Sequence, residues 1–266
     1  MINPRASIIM STYNDGQYIK QSIESVLTQS FTNFEFIIIN DCSTDNTAQI
    51  IADIKDERIQ YVCNERNKGL VVNLNEGIAR ATGEYIARID SDDMWANREK
   101  LQKQISFLES HEDYGLIGTQ AHVYDTSGMK LFSIKNPCSD RDIRRSILTK
   151  NTFVHSSVVF RKALAITCGG YNPEETYVED YGLWMRMGKC TKLTNLESLG
   201  VYYRENKKGI TQQHNLKQVR ANIRLIQTHR TSYPGYVHGT MKWRIKEFLL
   251  FLGLQGILNQ TKRIFS

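Results

Sequence analysis

Long apolar segments are missing from this sequence of 266 residues. No stretch approaches the roughly 20 consecutive apolar residues that a membrane-spanning helix needs, so no span is predicted. The first 14 residues contain only a short apolar run before polar residues, which is not the pattern of a secretory signal peptide. A cytoplasmic protein is therefore expected, with any membrane contact made from the inner surface.

Paired cysteines are also missing. The five cysteines are scattered along the chain and never form a C-x-x-C pair. Structural zinc sites and disulfide frameworks need cysteines in recurring, paired spacings. Neither is predicted, and the cysteine usage is typical of a reducing compartment.

Several glycine motifs that identify enzyme classes are absent. There is no G-x-x-x-x-G-K-[ST], which excludes a P-loop nucleotide hydrolase, and no G-x-G-x-x-G after the first predicted strand, which argues against dinucleotide binding. The serines that follow His155 are not set in a G-x-S-x-G nucleophile elbow. A lone histidine is more often structural than catalytic, and both interpretations of His155 stay open.

Basic charge is concentrated in the C-terminal fifth of the chain. The formal net charge is +6, and residues 215–266 hold nine Lys and Arg against the single acid Glu247. Nucleic-acid binders usually spread basic residues over a binding face, so no nucleic-acid partner is predicted. Residues 241–266 mix aromatic and Leu side chains with Lys and Arg, as in a helix lying on an anionic membrane. The alternative is a helix packed on the domain or on a second subunit, and the oligomeric state stays open.

Apolar runs alternate with amphipathic segments in the first 90 residues. Strands are predicted at 6–10, 34–39, 59–63 and 85–89, and helices over 19–27, after 45, and over 70–81. This alternation predicts an α/β fold with a parallel sheet.

The alternation is less regular after residue 90. Helices are predicted at 98–108, 140–148, 180–187 and 215–228, and strands at 116–123, 130–134, 157–161 and 199–203. No low-complexity linker interrupts the chain. One domain over residues 1–214 is predicted, followed by a basic amphipathic helical tail over 215–266.

Polar clusters follow three of the predicted strands, at 11–15, 40–45 and 90–93. Ligands of open α/β sheets bind beyond the carboxyl ends of the strands, so the clusters are expected to share one crevice. The three carboxylates in 90–93 favour Mg²⁺ or Mn²⁺, which bind carboxylate and phosphate oxygens. The alternative is a solvated acidic loop that caps the next helix.

Three further groups are candidate site residues, and each of them also has a common structural explanation. Asp41 can accept hydrogen bonds from a nucleobase or cap a helix. Tyr13 can stack on a base or simply pack. Glu179 and Asp180 begin a predicted helix, where the helix dipole stabilises acids by about 0.3–1 kcal/mol. The functional alternative is that one of them is a general base whose pKa is shifted by the other.

Six segments, taken in order, resemble family 2 glycosyltransferases across residues 5–205. The segments are 7–14, 25–30, 35–47, 67–70, 83–93, and 169–171 followed by 179–186. The resemblance implies the A-type glycosyltransferase fold, a Rossmann-like mixed α/β sheet flanked by helices. Residues 1–100 would form its nucleotide-binding half and residues 101–214 its acceptor half.

The resemblance also implies roles for individual residues. Asp90-Ser91-Asp92 would be the D-x-D motif, with Asp92 the main ligand of Mn²⁺ or Mg²⁺ and Asp90 nearer the ribose. Asp180 would be the general base. The other implied contacts are with the donor nucleotide, through Ser11, Thr12, Tyr13, Asp41 and Lys68, and with the acceptor, for which the candidates are His155, Glu179 and Trp184.

The function expected from this resemblance is metal-dependent, inverting transfer of one sugar. The donor would be a nucleotide sugar, commonly a UDP-sugar, and the acceptor a hydroxyl group of a glycan or lipid-linked molecule in bacterial surface polysaccharide synthesis. The Gln-x-x-Arg-Trp signature of processive synthases is absent, which favours single additions. Two alternatives stay open: a sugar nucleotidyltransferase, and a non-catalytic nucleotide-binding module associated with a membrane.

Overall fold

The computed structural model of the chain describes residues 3–205 and 215–254. In this part of the chain, one sheet contains all the strands. The strands are β1 (Ala6–Thr12), β2 (Phe34–Asn40), β3 (Ile59–Cys63), β4 (Tyr85–Arg88), β5 (Met94–Trp95), β6 (Tyr114–Tyr124), β7 (Lys130–Ile134), β8 (Val159–Arg161) and β9 (Lys192–Arg204). Their order across the sheet is β3-β2-β1-β4-β8-β6-β9-β5, and β7 pairs with β6 at the side of this path.

Helices cover both faces of the sheet. They are α1 (Ile19–Leu27), α2 (Thr47–Asp53), α3 (Leu70–Arg80), α4 (Lys100–Ser110), α5 (Asp140–Ser146), α6 (Lys162–Thr167), α7 (Glu179–Met187), α8 (Asn215–Thr228) and α9 (Tyr236–Phe251). Two short 3₁₀ helices are present at His155–Ser157 and Pro173–Glu175.

The first half of the sheet is parallel, as its apolar runs predict. β1 pairs in parallel with β2 and β4, and β2 pairs in parallel with β3. Phe36 and Ile38 of β2 pack on the face covered by α1, α2 and α4, whereas Ile37 and Ile39 pack on the face covered by α3 and α7. A strand covered on both sides needs apolar residues at every position, so the run is continuous.

The second half of the sheet is mixed. β8 pairs antiparallel with β4 and β6, whereas β9 runs parallel to β6. β9 begins at Lys192, seven residues before the predicted start. Its first half is rich in polar residues, of which Asn195 is buried and donates to carbonyl groups of neighbouring loops. These partners are distant in sequence, so periodicity does not report them. The predicted mixed α/β sheet flanked by helices is confirmed.

The C-terminal helices pack on the same core as the sheet. Val219 and Ile226 of α8 and Trp243 of α9 belong to the hydrophobic cluster that contains Trp184. The predicted domain boundary at residue 214 lies outside the described residues, as does the last part of the predicted tail, 255–266. None of the described helices combines the length and apolar character required to cross a bilayer.

Candidate functional site

Hydrogen bonds join the loops that follow β1 and β2 at the carboxyl edge of the sheet. The Asn14 N–H donates to the Ser43 hydroxyl at 3.0 Å, and the Thr44 N–H donates to Asn14 Oδ1 at 2.7 Å. Asn14 and Cys42 have φ angles of 58° and 62°, in the left-handed region that side chains rarely adopt. Such conformations persist where surrounding contacts impose them, and they are concentrated at functional sites.

Asp41 is buried and holds the loop that leads into α3. Its Oδ1 accepts hydrogen bonds from the Lys68 N–H and the Asn64 amide, both at 2.8 Å, and its Oδ2 accepts from the Gly69 N–H at 2.9 Å. Burial acts to raise the pKa of Asp41, but these hydrogen bonds outweigh it and the net pKa is lowered. The ionised carboxylate fixes this loop and keeps acceptor capacity on Oδ2.

A chain of hydrogen bonds connects Asp41 to the acidic cluster after β4. The Asn64 amide that donates to Asp41 also donates to Asn73, and the Asn73 amide donates to the Ser11 hydroxyl at 3.1 Å. The Ser91 hydroxyl in turn donates to the carbonyl oxygen of Ser11 at 3.3 Å. The three predicted polar clusters therefore lie at one edge of the sheet.

The three acids of the cluster have different surroundings. Asp93 is buried, and it accepts hydrogen bonds from the Arg204 N–H at 2.8 Å and from the Ser156 hydroxyl. Asp90 is half-buried and pairs with the Arg88 guanidinium. Across the described ranges, 3–205 and 215–254, no other residue donates a hydrogen bond to the carboxylate of Asp92. Asp92 is thus the acid of this cluster that is left for a ligand.

Like charges crowd around Asp92. Burial raises the pKa of Asp92 to about 7, and the charges of Asp90 and Asp15 act in the same direction. Asp15, in the loop after β1, accepts a hydrogen bond from the Ser91 hydroxyl at 2.5 Å, so it belongs to the same cluster. A bound cation would relieve this repulsion, and carboxylate oxygens are ligands that Mg²⁺ and Mn²⁺ prefer.

The protein side chains alone do not complete a metal site. Among the described residues, no group of three His, Cys, Asp or Glu side chains is arranged to hold an ion. Mg²⁺ commonly uses one or two carboxylates and takes its other ligands from water and substrate phosphates. The Asp92 carboxylate, which accepts no hydrogen bond from another residue within 3–205 and 215–254, fits an ion that is shared with a phosphorylated substrate.

A buried network of hydrogen bonds and an ion pair holds the Asp90 carboxylate. Arg88 has no exposed surface, and its Nε donates to His155 Nε2 at 3.1 Å. The Tyr171 hydroxyl lies 3.0 Å from the same nitrogen. Burial and the Arg88 charge lower the pKa of His155 to about 3, so the ring is neutral. Because Nε2 accepts, we assign the proton to Nδ1, which lies 3.7 Å from Asp90 Oδ1.

This network changes the interpretation of His155. The His155 side chain is mostly enclosed, and its Nε2 contacts Arg88 and the Tyr171 hydroxyl. These contacts indicate a structural role, in which His155 helps to hold Arg88 against the acidic cluster. The sequence interpretation missed Arg88. A charged residue inside the apolar run 85–89 was the signal that could have identified it, since buried charges need partners.

Two consecutive glycines direct Tyr171 into this network. Gly169 and Gly170 have φ angles of 80° and 63°, which glycine adopts without strain. After this turn, the Tyr171 N–H donates to Asn75 Oδ1 at 2.9 Å, and the Asn75 amide donates to the Tyr171 carbonyl at 2.7 Å. The turn therefore fixes Tyr171 against α3.

The two glycines make a matched pair of stability variants. Gly169→Ala should lower the free energy of unfolding by about 1–2 kcal/mol, the cost of a side chain in the left-handed conformation, because its Cβ would meet no atom within 4 Å. Gly170→Ala should cost about 1–3 kcal/mol more, since its Cβ would lie 2.6 Å from Asn75 Oδ1 and disrupt the Tyr171 bonds. Urea unfolding measures both. Equal losses would show that the Asn75 contact contributes nothing.

Glu179 and Asp180 begin α7, within electrostatic reach of Asp90. Asp180 accepts hydrogen bonds from the Tyr181 N–H at 2.6 Å and from the Asn151 amide at 2.9 Å. Burial raises the pKa of Asp180 to about 6 and that of Glu179 to about 7, and the Asp90 charge raises both. Asp90 is thus close enough to interact with the pair. A carboxylate with a pKa near neutral is suited to general base chemistry.

The remaining predicted donor contacts differ in accessibility. Thr12 is buried, and its carbonyl accepts a hydrogen bond from the Asp41 N–H at 2.9 Å. The ring of Tyr13 is 48% exposed at the surface of the loop. The Lys68 ammonium pairs with Glu76 at 3.2 Å, so its backbone N–H is the group that contacts Asp41.

Trp184 lies in the hydrophobic core, four residues after Asp180 in α7. Its ring has no exposed surface and packs against the rings of Phe153, Phe160 and Tyr171, with centroid distances of 5.6–6.3 Å. Trp184 is one of the predicted acceptor contacts, and the structure places its ring in the core, where it has no exposed surface. The sequence places Trp184 four residues after Asp180, but this spacing alone does not predict that the ring is buried.

Sequence comparisons identify related proteins. The family model described as "Glycosyl transferase family 2" matches residues 7–166. "Putative glycosyltransferase EpsE" of Bacillus subtilis (strain 168) is 37% identical over 193 residues, which cover 69% of this chain and 66% of EpsE, just under two thirds of its length. "UDP-Glc:alpha-D-GlcNAc-diphosphoundecaprenol beta-1,3-glucosyltransferase WfaP" of Escherichia coli is 33% identical over 201 residues, which cover 74% of this chain and 76% of WfaP.

Solved structures share the fold. TarS 1-349 of S. aureus in complex with UDP-GlcNAc has a TM-score of 0.70 at 20% identity, with 92% of this chain and 72% of that chain covered. The mannosyltransferase PcManGT of Pyrobaculum calidifontis, in complex with GDP-Man and Mn²⁺, has a TM-score of 0.66 at 16% identity. The match covers 94% of this chain and 70% of the PcManGT chain. Identities this low establish likeness of fold alone.

Proposed function

Because the chain belongs to glycosyl transferase family 2, we propose that it transfers one sugar from a UDP-sugar to a hydroxyl group of a glycan or lipid-linked acceptor. The observation that carries the proposal is that two unlike acids lie within electrostatic reach of the same carboxylate, Asp90. Asp92 has a carboxylate without a hydrogen-bond donor from another described residue, and Asp180 is a fixed carboxylate with a raised pKa.

The donor nucleotide is proposed to lie along the loops after β1 and β2. The exposed ring of Tyr13 offers a stacking surface there, and Asp41 keeps acceptor capacity for a base N–H. The predicted donor residues Ser11 and Thr12 end β1, and hydrogen bonds join this strand end to Lys68 and Ser91 through Asp41, Asn64 and Asn73. The complex of TarS with UDP-GlcNAc supports a uridine nucleotide on this fold.

The donor diphosphate is proposed to lie beside Asp92. Asp92 would hold Mn²⁺ or Mg²⁺, with Asp90 nearer the ribose, and the Mn²⁺ in the PcManGT complex supports this choice. Such an ion supplies charge stabilisation for a departing diphosphate. Arg88 is fully buried and forms an ion pair with Asp90, so it is proposed to keep the Asp90 carboxylate in a fixed position during the reaction.

Asp180 is proposed to receive the proton of the acceptor hydroxyl. The hydroxyl oxygen forms a bond to the anomeric carbon from the face opposite the diphosphate, and the bond from that carbon to the phosphate oxygen breaks. The nucleoside diphosphate leaves with the bonding electrons, and one displacement inverts the anomeric centre. Asn151 and the Tyr181 N–H orient the base, and Glu179 is proposed to contact the acceptor.

The acceptor and cellular place are proposed from chemistry and relatives. WfaP is named for a sugar linked to diphosphoundecaprenol, which supports a lipid-linked acceptor and a role in bacterial surface polysaccharide synthesis. An enzyme with this acceptor would work in the cytoplasm at the inner face of the membrane. The oligomeric state is not part of the proposal.

Product analysis tests the proposed function. A set of UDP-sugars is incubated with the protein, Mn²⁺ and lipid-linked acceptors, and the released nucleotide is identified by chromatography. UDP is the expected product. In a parallel assay with UTP and a sugar 1-phosphate, release of pyrophosphate would indicate a sugar nucleotidyltransferase, against which the loop 11–16 argues because it contains no Lys or Arg. Calorimetric binding of UDP with no turnover of any donor would indicate a non-catalytic module.

A further inference from the structure

Polar side chains on one face of α1 hold the segment of chain that contains Asp92. The Ser25 hydroxyl accepts a hydrogen bond from the Trp95 N–H at 3.0 Å, and Ser22, three residues earlier, contacts the segment closer to Asp92. Residues three positions apart lie on the same face of a helix. We propose that Ser22 is a positioning residue that fixes Asp92 for the divalent cation, a role that rests on the proposed function.

Ser22 contacts the turn that carries Asp92 on both sides of this residue. The segment 90–93 is a turn, which is closed by a 3.1 Å hydrogen bond from its last N–H to its first carbonyl group. The Ser22 hydroxyl oxygen lies 2.7 Å from the Ser91 carbonyl oxygen and 2.5 Å from the Asp93 carbonyl oxygen. A hydroxyl group has one proton, so Ser22 shares it between the carbonyl groups that precede and follow Asp92.

Backbone hydrogen bonds are what restrain Asp92. Its carboxylate receives no hydrogen bond from another residue in the described part of the chain, and the charges of Asp90 and Asp15 repel it. Its own carbonyl group accepts a hydrogen bond from Arg204 Nε at 3.0 Å. Together with Ser22, this bond fixes three consecutive carbonyl groups, so the point from which the Asp92 side chain extends is fixed as well.

Ser22 holds the turn without contacting the ligands. The residue has no exposed surface, so a cation or a nucleotide bound at the edge of the sheet does not reach its hydroxyl group. The hydroxyl group is also neutral, so it leaves the negative charge of Asp92 available to a cation. Buried hydrogen bonds of this kind orient metal ligands and thereby raise the affinity for the metal.

The same helix is bonded to the loop that is proposed to hold the nucleotide. The Ile19 N–H, at the start of α1, donates to the Asp15 carbonyl group at 3.0 Å, and the Asp15 carboxylate accepts from the Ser91 hydroxyl at 2.5 Å. The cation is proposed to bind Asp92 and the donor diphosphate together. We therefore expect Ser22 to contribute to the gain in UDP affinity that Mn²⁺ brings, but not to the affinity without the metal.

Ser7 provides a matched control for Ser22. It is also a serine without exposed surface, and its hydroxyl donates to the Glu35 carboxylate at 2.5 Å and accepts from the Gly83 N–H at 2.9 Å. Ser7 lies at the amino end of β1, whereas the acids lie at the carboxyl edge of the sheet. Ser7→Ala and Ser22→Ala should both lower the urea midpoint, and only Ser22→Ala should change the response to Mn²⁺.

Calorimetry with UDP, in the presence and absence of Mn²⁺, tests the role of Ser22. Mn²⁺ should strengthen UDP binding by the wild type, and Asp92→Asn should abolish this gain. Ser22→Ala should reduce the gain by about threefold to tenfold, the range expected when one hydrogen bond is lost, and leave the affinity without Mn²⁺ unchanged. In the rate assay, its half-maximal Mn²⁺ concentration should rise by the same factor, with the rate at saturating Mn²⁺ close to wild type.

Ser25→Ala is a second variant that tests the same face of α1. The Ser25 hydroxyl donates to the Ser22 carbonyl at 2.7 Å and accepts from the Trp95 N–H, farther along the chain from Asp92. Ser25→Ala should therefore reduce the Mn²⁺ gain in UDP affinity by a smaller factor than Ser22→Ala. Circular dichroism establishes that each variant is folded.

Three results would overturn the role of Ser22. They are a wild-type Mn²⁺ gain in both Ser22→Ala and Ser25→Ala, an equal reduction of the gain in Ser7→Ala, and a loss of UDP affinity in Ser22→Ala that is as large without Mn²⁺ as with it. Failure of the proposed function would appear separately. Wild-type protein would then bind UDP with a Mn²⁺ gain and turn over no donor, whereas a wild type without any Mn²⁺ gain would remove the metal assignment and the role of Ser22 together.

Discussion

Replacing Asp180 by asparagine is expected to slow sugar transfer by about 10²–10⁴-fold, the usual contribution of a general base, with the donor affinity unchanged. Asparagine keeps the size of the side chain and can still accept from the Tyr181 N–H, so the start of α7 should stay intact. It cannot take the proton of the acceptor hydroxyl. Initial rates at saturating donor measure the loss, and calorimetry with UDP measures the retained affinity.

The pH profile provides a second readout for Asp180. Burial raises its pKa to about 6, and the base acts only when ionised, so the wild-type rate should fall as pH decreases through about 6. Above that value the carboxylate is ionised and this dependence ends. The residual activity of the Asp180→Asn variant should lack this limb of the profile.

Asp142 is a suitable control for Asp180, since it also lies in the first turn of a helix but is exposed on α5. Asp142→Asn should keep the wild-type rate and lose at most about 1 kcal/mol of stability from the helix dipole. Wild-type turnover by Asp180→Asn, with the acidic limb of the pH profile unaltered, would remove the base role.

The Asp92→Asn variant should lose activation by Mn²⁺ and at least about a hundredfold in rate, because metal stabilisation of a leaving group supplies several kcal/mol. Its stability should not fall. The Asp92 carboxylate receives no hydrogen bond from another residue in the described part of the chain, and it is repelled by Asp90 and Asp15. Removing its charge relieves that repulsion. Rates against Mn²⁺ concentration and urea unfolding measure the two effects.

Asp93→Asn should show the opposite behaviour and serves as the matched control. Asp93 is buried and bonded to the Arg204 N–H and the Ser156 hydroxyl, so the change should cost about 1–3 kcal/mol of stability. The Mn²⁺ concentration that gives half-maximal activation should stay close to wild type. Normal Mn²⁺ activation in Asp92→Asn would refute the metal assignment.

The parallel half of the fold was predictable because burial on both faces leaves a strong signal. Every residue of β2 is buried, so the apolar run and its end at Asn40 are visible in the sequence. Two elements left too little signal. β5 has two residues and α6 has six, both shorter than the windows in which periodicity can be read.

The location of the acids at one edge of the sheet was also predictable, because the carboxyl ends of parallel strands lie at the same edge. The role of each individual acid was not predictable. Asp93 is engaged by Arg204, 111 residues away, and by Ser156, 63 residues away, and no local pattern reports such partners. The inward position of Trp184 and the enclosure of His155 depend on equally distant packing.

A crystal structure of the protein with UDP and Mn²⁺ tests the central claim most directly. The account predicts uracil between the ring of Tyr13 and Asp41, the ion bound by Asp92, and the diphosphate on the side of the cleft that faces Asp180. An ion held without Asp92, or a nucleotide bound away from the edge that joins Asp41, Asp92 and Asp180, would contradict it.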